Sequence, residues 1–226
     1  MRGAAFGPPR FVSRGHRRRR ERVIARGNRI GFGRKCSNVR AMSAFTIRDA
    51  EAGDIPTITA IYEDEVLTGT ATYELDPPDE EEMGRRFQSL RSQGYPYLVA
   101  AGPDGAVIGY AYAGPFRARP AYRWTVEDSI YLARAARGQG VGRALLTILV
   151  ERCQGLGFRQ MIAVIGGANN HGSVRVHERA GFAHVGVLPG SGFKLGGWVD
   201  TVLMQMPLGE GKDTLPDETR YPGTLG

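Results

Sequence analysis

The stretch ARAARGQGVGRALL, residues 133–146, sets glycines at positions 138, 140 and 142 between an alternating run, TVEDSIYL, and a helically spaced one, VGRALLTILVERCQGLG. It therefore requires a strand, a tight bend and a helix in direct succession. Alternate glycines at a helix entry let the backbone approach a ligand closely and aim its N–H groups, backed by the positive end of the helix, at an anion. Two phosphate-binding designs fail here. A Walker loop needs Gly-Lys-Ser/Thr, and the corresponding residues are GRAL. A dinucleotide fold places the turn on its first strand–helix unit and an acidic residue at the end of the next strand. Here the turn lies past the middle of the chain and the next strand ends in VIGG. What remains is the Arg-x-x-Gly-x-Gly spacing of Arg137, Gly138, Gln139, Gly140, Val141 and Gly142, a cradle suited to a pyrophosphate.

The flanking sequence alternates strand and helix signals. FTIRDA reads as a short strand. AGDIPTITAIYEDEVL reads as a helix with Asp54 as N-cap, Pro56 near its first turn and Ile58, Ile61 and Tyr62 on one face. PPDEEEMGRRFQSLRSQG is a second helix, and YPYLVAAGPDGAVIGYAYAG is two strands joined by an Asp-Gly turn. After the glycine turn, Val141, Leu145, Ile148, Leu149 and Cys153 share one helix face. RQMIAVIGG is a buried strand, NNHGSVRVHERAG a helix stopped by Gly181, and FAHVGVLPGSGFKLGGWVDTVLMQM a last strand pair. The expectation is an α/β domain over residues 42–208, with one mixed, mostly antiparallel sheet and helices on its faces. Residues 209–226, with scattered Pro, Gly and charges, are expected to be a loose tail.

A net charge of +7 invites a nucleic-acid reading, so its distribution matters. Residues 1–41 hold 13 of the 30 Lys and Arg and one of the 23 Asp and Glu, which leaves 17 basic against 22 acidic residues from Met42 onward. The domain itself is mildly acidic. The basic segment lacks the periodicity of a core and is expected to be disordered. It is a polyanion tether, a targeting segment, or upstream sequence ahead of a start at Met42, where MSAFTIRDAEAGD opens a domain cleanly. No apolar h-region follows its arginines, which argues against a secretory signal. Nucleic acid enters as a partner only through that segment. No apolar run is long enough to cross a bilayer, so no membrane association is expected. The two cysteines, Cys36 and Cys153, suit a reducing cytoplasm better than a disulfide framework. The four histidines and two cysteines show no ligand spacing for a metal.

The turn resembles motif A of the GCN5-related N-acetyltransferases, where it carries the pyrophosphate of acetyl-CoA. YAGPFRARPAYRWTVEDSIYL, IAVIGG, SVRVHERAGF and GFKLGGWVDTVLMQM are similar to the phosphinothricin acetyltransferase branch of that superfamily, over residues 47 to 208. The resemblance implies a homodimer, acetyl-CoA as co-substrate, and pantetheine held by the backbone of Ile130, Tyr131 and Leu132 on a splayed strand. It also makes Asn170 a coenzyme contact, although a helix N-cap reads equally well from the residues alone.

By the same resemblance Glu127 is the general base. An ordinary glutamate pKa of about 4.3 is too low for that task, so a raised value or a water relay is required. Asp128, on the opposite strand face by alternation, is expected to be an ordinary surface carboxylate. His177, a packed or surface residue on its own merits, becomes a substrate contact or proton handler. Arg117 and Arg119 face the anionic end of a glutamate-like amino acid, and Tyr73 and Tyr122 wall its pocket, with Tyr73 standing where a phenylalanine is expected. The implied reaction is direct attack by the α-amino group of phosphinothricin or methionine sulfoximine on acetyl-CoA in a ternary complex. Acetylation of a protein N-terminus, or coenzyme sensing without catalysis, are the competing readings.

Overall fold

A computed structural model describes residues 45–220. The basic segment 1–41, Cys36 and the start at Met42 lie outside the described residues. The chain runs β1 (Thr46–Asp49), α1 (Ile55–Thr68), α2 (Glu80–Ser92), β2 (Tyr97–Ala101), β3 (Val107–Pro115) and β4 (Thr125–Leu132). It continues through α3 (Val141–Leu156), β5 (Gln160–Gly166), α4 (His171–Ala180), β6 (Ala183–Lys194) and β7 (Gly197–Pro207). The seven strands form one sheet in the order β1-β2-β3-β4-β5-β7-β6. Only β4 and β5 run parallel, because α3 carries the chain back between them; every other neighbouring pair is antiparallel. The expected α/β architecture is the one observed.

Helices cover both faces. On one, Val141, Leu145, Leu149 and Cys153 of α3 are fully buried against Leu98, Ala111, Val126 and Met161. On the other, Ile58, Tyr62 and Val66 of α1 and Phe87 of α2 pack on Tyr97, Val99 and Tyr110. Both faces of β2 are therefore apolar and buried along its whole length. Asp79 caps α2 by accepting from Glu82 N at 2.8 Å. Asp54 occupies the expected N-cap position of α1 but makes no cap bond with its side chain. Its carboxylate is taken by Arg48, through two bonds of 2.7 Å, and by Glu51 N. Past Leu208 the described chain has no helix or strand, and Arg159 bonds the carbonyls of Gly211 and Thr214 at 2.8 and 2.9 Å.

One irregularity positions the site. The β4–β5 ladder ends at Asp128↔Ala163, whereas β5 stays paired with β7 as far as Gly166↔Thr201. Beyond Asp128 the two parallel strands fork. Antiparallel strands turn alternate residues toward each neighbour. The bonds Phe116 N to Thr125 O and Ala133 N to Ile108 O set that phase on the β3 side. Ser129 and Tyr131 thus spend their backbone groups on β3, and Ile130 and Leu132 turn theirs into the fork.

Candidate active site

The glycine turn closes one end of the fork. Gly138 and Gly140 adopt φ of 77° and 85°, in the left-handed region where a side chain is strained. The first bond of α3 runs from Ala144 N to Gly140 O, so the N–H groups of Val141, Gly142 and Arg143 have no partner within the helix. A Cβ on Gly142 would stand 3.3 Å from Leu132 Cδ1, which is why the helix can sit this close to β4. Of the turn's other side chains, Val141 is in the core and Gln139 bonds Ala135 O at 2.6 Å, whereas Arg137 bonds Glu65 at 3.1 Å and both line the groove beside the turn. A groove of about 430 Å³ joins Gly138 and Gly142 to Ile130, Leu132 and Asn170. Asn170 caps α4, accepting from Ser173 N at 3.2 Å, as its local sequence suggested, and lines the groove as well. A long, narrow coenzyme with an anionic middle fits this arrangement. Tyr131 departs from expectation: its backbone belongs to the β3 ladder, and its ring meets Tyr62 edge-on at 5.0 Å.

At the other end of the fork two cavities, of about 200 and 560 Å³, share Tyr73, Glu127 and Val164. Burial, reinforced by the neighbouring Asp128 carboxylate, raises Glu127 to about 7, while Arg117 pulls it down. Arg117 lines the larger cavity and lies over the Phe116 ring at 5.1 Å. The Tyr73 ring rests on Gly192, where a Cβ would strike it, and the hydroxyl bonds Thr201 Oγ1. Thr201 in turn bonds Ser191 at 2.6 Å, so the hydroxyl of Tyr73 ends in a chain of hydroxyls instead of facing the cavity alone. Arg119 and Tyr122 are not brought here. Both are exposed and line none of the three cavities; Tyr122 packs edge-on against Phe116 at 5.7 Å.

The model of the acetyltransferase (GNAT) family matches residues 58–182, more than half of the chain. The chain belongs to the GNAT acetyltransferases. It is 51% identical to the phosphinothricin N-acetyltransferase of Alcaligenes faecalis, over 78% of this chain and 89% of that protein. It is 41% identical to a methionine sulfoximine/methionine sulfone acetyltransferase of Pseudomonas paraeruginosa, over 74% and 96%. Among solved structures, a phosphinothricin acetyltransferase from Sinorhizobium meliloti in complex with acetyl-CoA superposes with a TM-score of 0.78. It shares 56% identity over 80% of this chain and 98% of that one. A ribosomal-protein-alanine N-acetyltransferase from Brucella melitensis gives 0.70 and 37% identity, over 72% and 99%. The resemblance read from the motifs is thus borne out at the level of family and fold.

Several residues of this GNAT site escaped the sequence reading. Asp128, expected at the surface, is buried, because α4 covers the face of β4 opposite Glu127. Alternation assigned the two acids to opposite faces but could not say that both faces are covered. Asp128 Oδ2 lies 3.0 Å from His177 Nε2, and His177 Nδ1 lies 2.8 Å from Ser173 O. Burial alone would lower His177, but the bond and charge of Asp128 win and raise it. The Phe182 ring meets the imidazole edge-on at 5.1 Å. Glu65 joins the two ends of the fork: one oxygen accepts from Arg137, the other from Ala71 N at 3.1 Å. Buried Lys194 donates to Thr72 O at 2.9 Å and holds the same loop from the other side. No local signal marks these residues, since each acts on a partner distant in sequence. Among the described residues, no group of three or more His, Cys, Asp or Glu is arranged for a metal ion, and no helix is long and apolar enough to cross a membrane.

Proposed function

We propose that this GNAT chain transfers the acetyl group of acetyl-CoA to the α-amino group of a small anionic amino acid of the phosphinothricin and methionine sulfoximine type. Glu127 carries the reading: a carboxylate raised to about 7, standing where the coenzyme fork meets a cavity that Arg117 enters. The coenzyme supplies an activated thioester. The N–H groups of Val141 and Gly142, with the helix end behind them, hold its pyrophosphate. Ile130 and Leu132 hold the pantetheine arm with their free backbone groups and donate to the carbonyl oxygen as charge develops on it. Asn170 adds a contact from the start of α4. Arg117 takes the anionic end of the acceptor, and Tyr73 walls its side.

In this scheme ionised Glu127 removes one proton from the acceptor's ammonium group, at a pH where its own value is matched to the task. The freed lone pair forms the N–C bond, the C–S bond breaks, and the remaining extra proton on nitrogen leaves with sulfur as the thiol. Attack is direct, without an acyl-enzyme: burial and the charge of Asp128 push the Cys153 thiol up, and it has no access to the pocket. Release of coenzyme thiol, measured across phosphinothricin, methionine sulfoximine, methionine sulfone, ordinary amino acids and a peptide panel, tests the proposal. Turnover is expected with the first three. Turnover of peptides alone would sink it in favour of a protein N-terminal acetyltransferase, and coenzyme binding without any turnover would point to a sensor.

Two further features complete the proposal. Strand β6 is an exposed sheet edge carrying Val185, Val187 and Leu188, and Phe193 stacks edge-on with Trp198, which is 75% exposed. An apolar surface of this kind supports a homodimer, and because Val185 and Leu188 also line the larger cavity, the second copy would wall the acceptor site. Light scattering should return twice the chain mass; a monomer at micromolar concentration would rule this out. The buried, unpaired Cys153 suits the reducing cytoplasm proposed as the enzyme's location.

A further inference from the structure

The imidazole of His177 stands between two acceptors. Its Nδ1 is 2.8 Å from the Ser173 carbonyl oxygen, and its Nε2 is 3.0 Å from Asp128 Oδ2. A carbonyl can only accept, so Nδ1 carries a hydrogen. A neutral imidazole would then turn a bare Nε2 toward the carboxylate, which is repulsive unless a proton lies between them. Imidazole is the stronger base of the two, with about 6.5 against 3.9 in water, so that proton belongs on His177. Both ring N–H bonds are thereby committed, in a residue that is 4% exposed. Breaking either one to move a proton would strand a buried charge.

The pair also has a place in the architecture. Asp128 is the last residue of β4 that pairs with β5, and His177 lies on the helix that covers the fork. The ion pair therefore crosses from the strand to α4 where the ladder that joins the strands gives out. On the opposite strand face, one residue back, stands Glu127.

We propose that Asp128 is a positioning residue of the acyl transfer: by holding His177 as an imidazolium across the fork it withdraws that ring from proton transfer and leaves Glu127 as the proton acceptor facing the amine. This rests on the acetyltransferase reading given above. It changes the standing of His177, which lines both the groove and the smaller cavity, from proton carrier to strut, and brings into the mechanism Asp128, which lines that cavity beside Glu127. The groups that face the pair and Glu127 are few. Cys153 comes from α3, His177 from α4, Tyr112 from β3, and Arg117 from the loop after β3. Arg117 adds positive charge beside Glu127 and lowers it, Asp128 raises it, and the charge of Asp128 is balanced on its other side by the His177 imidazolium.

Two measurements on the full-length enzyme test the proposal. Side-chain ¹⁵N spectra of wild type should show His177 with both nitrogens protonated at pH 7.5, a full unit above its ordinary value. In Asp128→Asn the amide can donate to a neutral Nε2, so the contact survives while the charge is lost. His177 should then report one protonated nitrogen at pH 7.5, while the acid limb of kcat/KM set by Glu127 moves little, because the pair loses its negative and its positive charge together. A neutral His177 in wild type, or a His177 still protonated on both nitrogens at pH 7.5 in Asp128→Asn, would overturn the inference. The Glu127→Gln profile separates this from failure of the underlying reading. If Glu127→Gln keeps the acid limb, Glu127 is not the proton acceptor and the parent mechanism falls. If Glu127→Gln loses the limb while His177 stays protonated on both nitrogens in Asp128→Asn, only the role of Asp128 falls.

Discussion

Glu127→Gln has opposite expected effects on stability and on rate. Burial and Asp128 raise Glu127 from an ordinary 4.5 to about 7. For an acid raised in the folded state, folding favours the protonated form. The stability this brings is whole below about pH 4.5 and is lost as pH rises through about 7. One pKa unit is about 1.4 kcal/mol, so the folded wild type forgoes up to about 3 kcal/mol above pH 8. Solvent access at this partly open position reduces the figure to about 1–2 kcal/mol. Glutamine cannot ionise and escapes the penalty. Thermal melts followed by circular dichroism should place Glu127→Gln roughly 2–8 °C above wild type at pH 9, at about 2–4 °C per kcal/mol for a domain of this size, and level with it at pH 4. Initial rates from pH 5.5 to 9.5 should show kcat/KM lowered by about 10²–10⁴ and the acid limb near 7 abolished. A melting difference equal at both pH values would refute the buried-charge argument, and a surviving acid limb would refute the catalytic one.

Three other perturbations follow from the same geometry. Arg117→Ala should raise KM for an anionic acceptor by roughly 10–100-fold and move the acid limb to higher pH, since Arg117 lowers Glu127, whereas Arg119→Ala should shift KM by less than about 3-fold. Steady-state profiles of the two variants decide it. Gly140→Ala forces an alanine into a φ of 85°, costing about 1–2 kcal/mol, and should raise KM for acetyl-CoA about tenfold, read by varying coenzyme at fixed acceptor. Gly166→Ala drives a Cβ into the backbone oxygen of Thr70 and should cost about 1–3 kcal/mol, seen as a lower melting temperature together with weaker acceptor binding as the loop bearing Tyr73 shifts.

Much of the fold was legible because its signals are local. The Asp-Gly turn between β2 and β3, the glycines that stop α3 and α4 at φ of 99° and 102°, and the apolar face of α3 each act within a few residues. The same holds for the glycine turn, whose close backbone approach and outward N–H groups were readable from the spacing. Strand alternation set Glu127 and Asp128 on opposite faces, but exposure is a property of what covers a face. Covering is done by α4, and the bond from Asp128 reaches His177 across 49 residues. Tyr73 and Thr201 meet across 128 residues, which gives the pocket wall a polarity that no local pattern carries.

The substrate loop shows the limit most plainly. FRARPAYRW offers two arginines of identical chemistry two residues apart, and nothing in the string separates them. Arg117 is turned over Phe116 into a cavity that also holds Glu127, while Arg119 precedes the short turn Pro120–Tyr122 and points outward. The chain by itself determined its elements, their order and the anion-binding turn, since backbone conformation and helix ends are governed by residues a few positions apart. Which acids are buried, which arginine reaches the cavity of Glu127, and which ring nitrogens are paired were left to the assembled sheet and its helices, because burial and pairing depend on partners that only folding brings together.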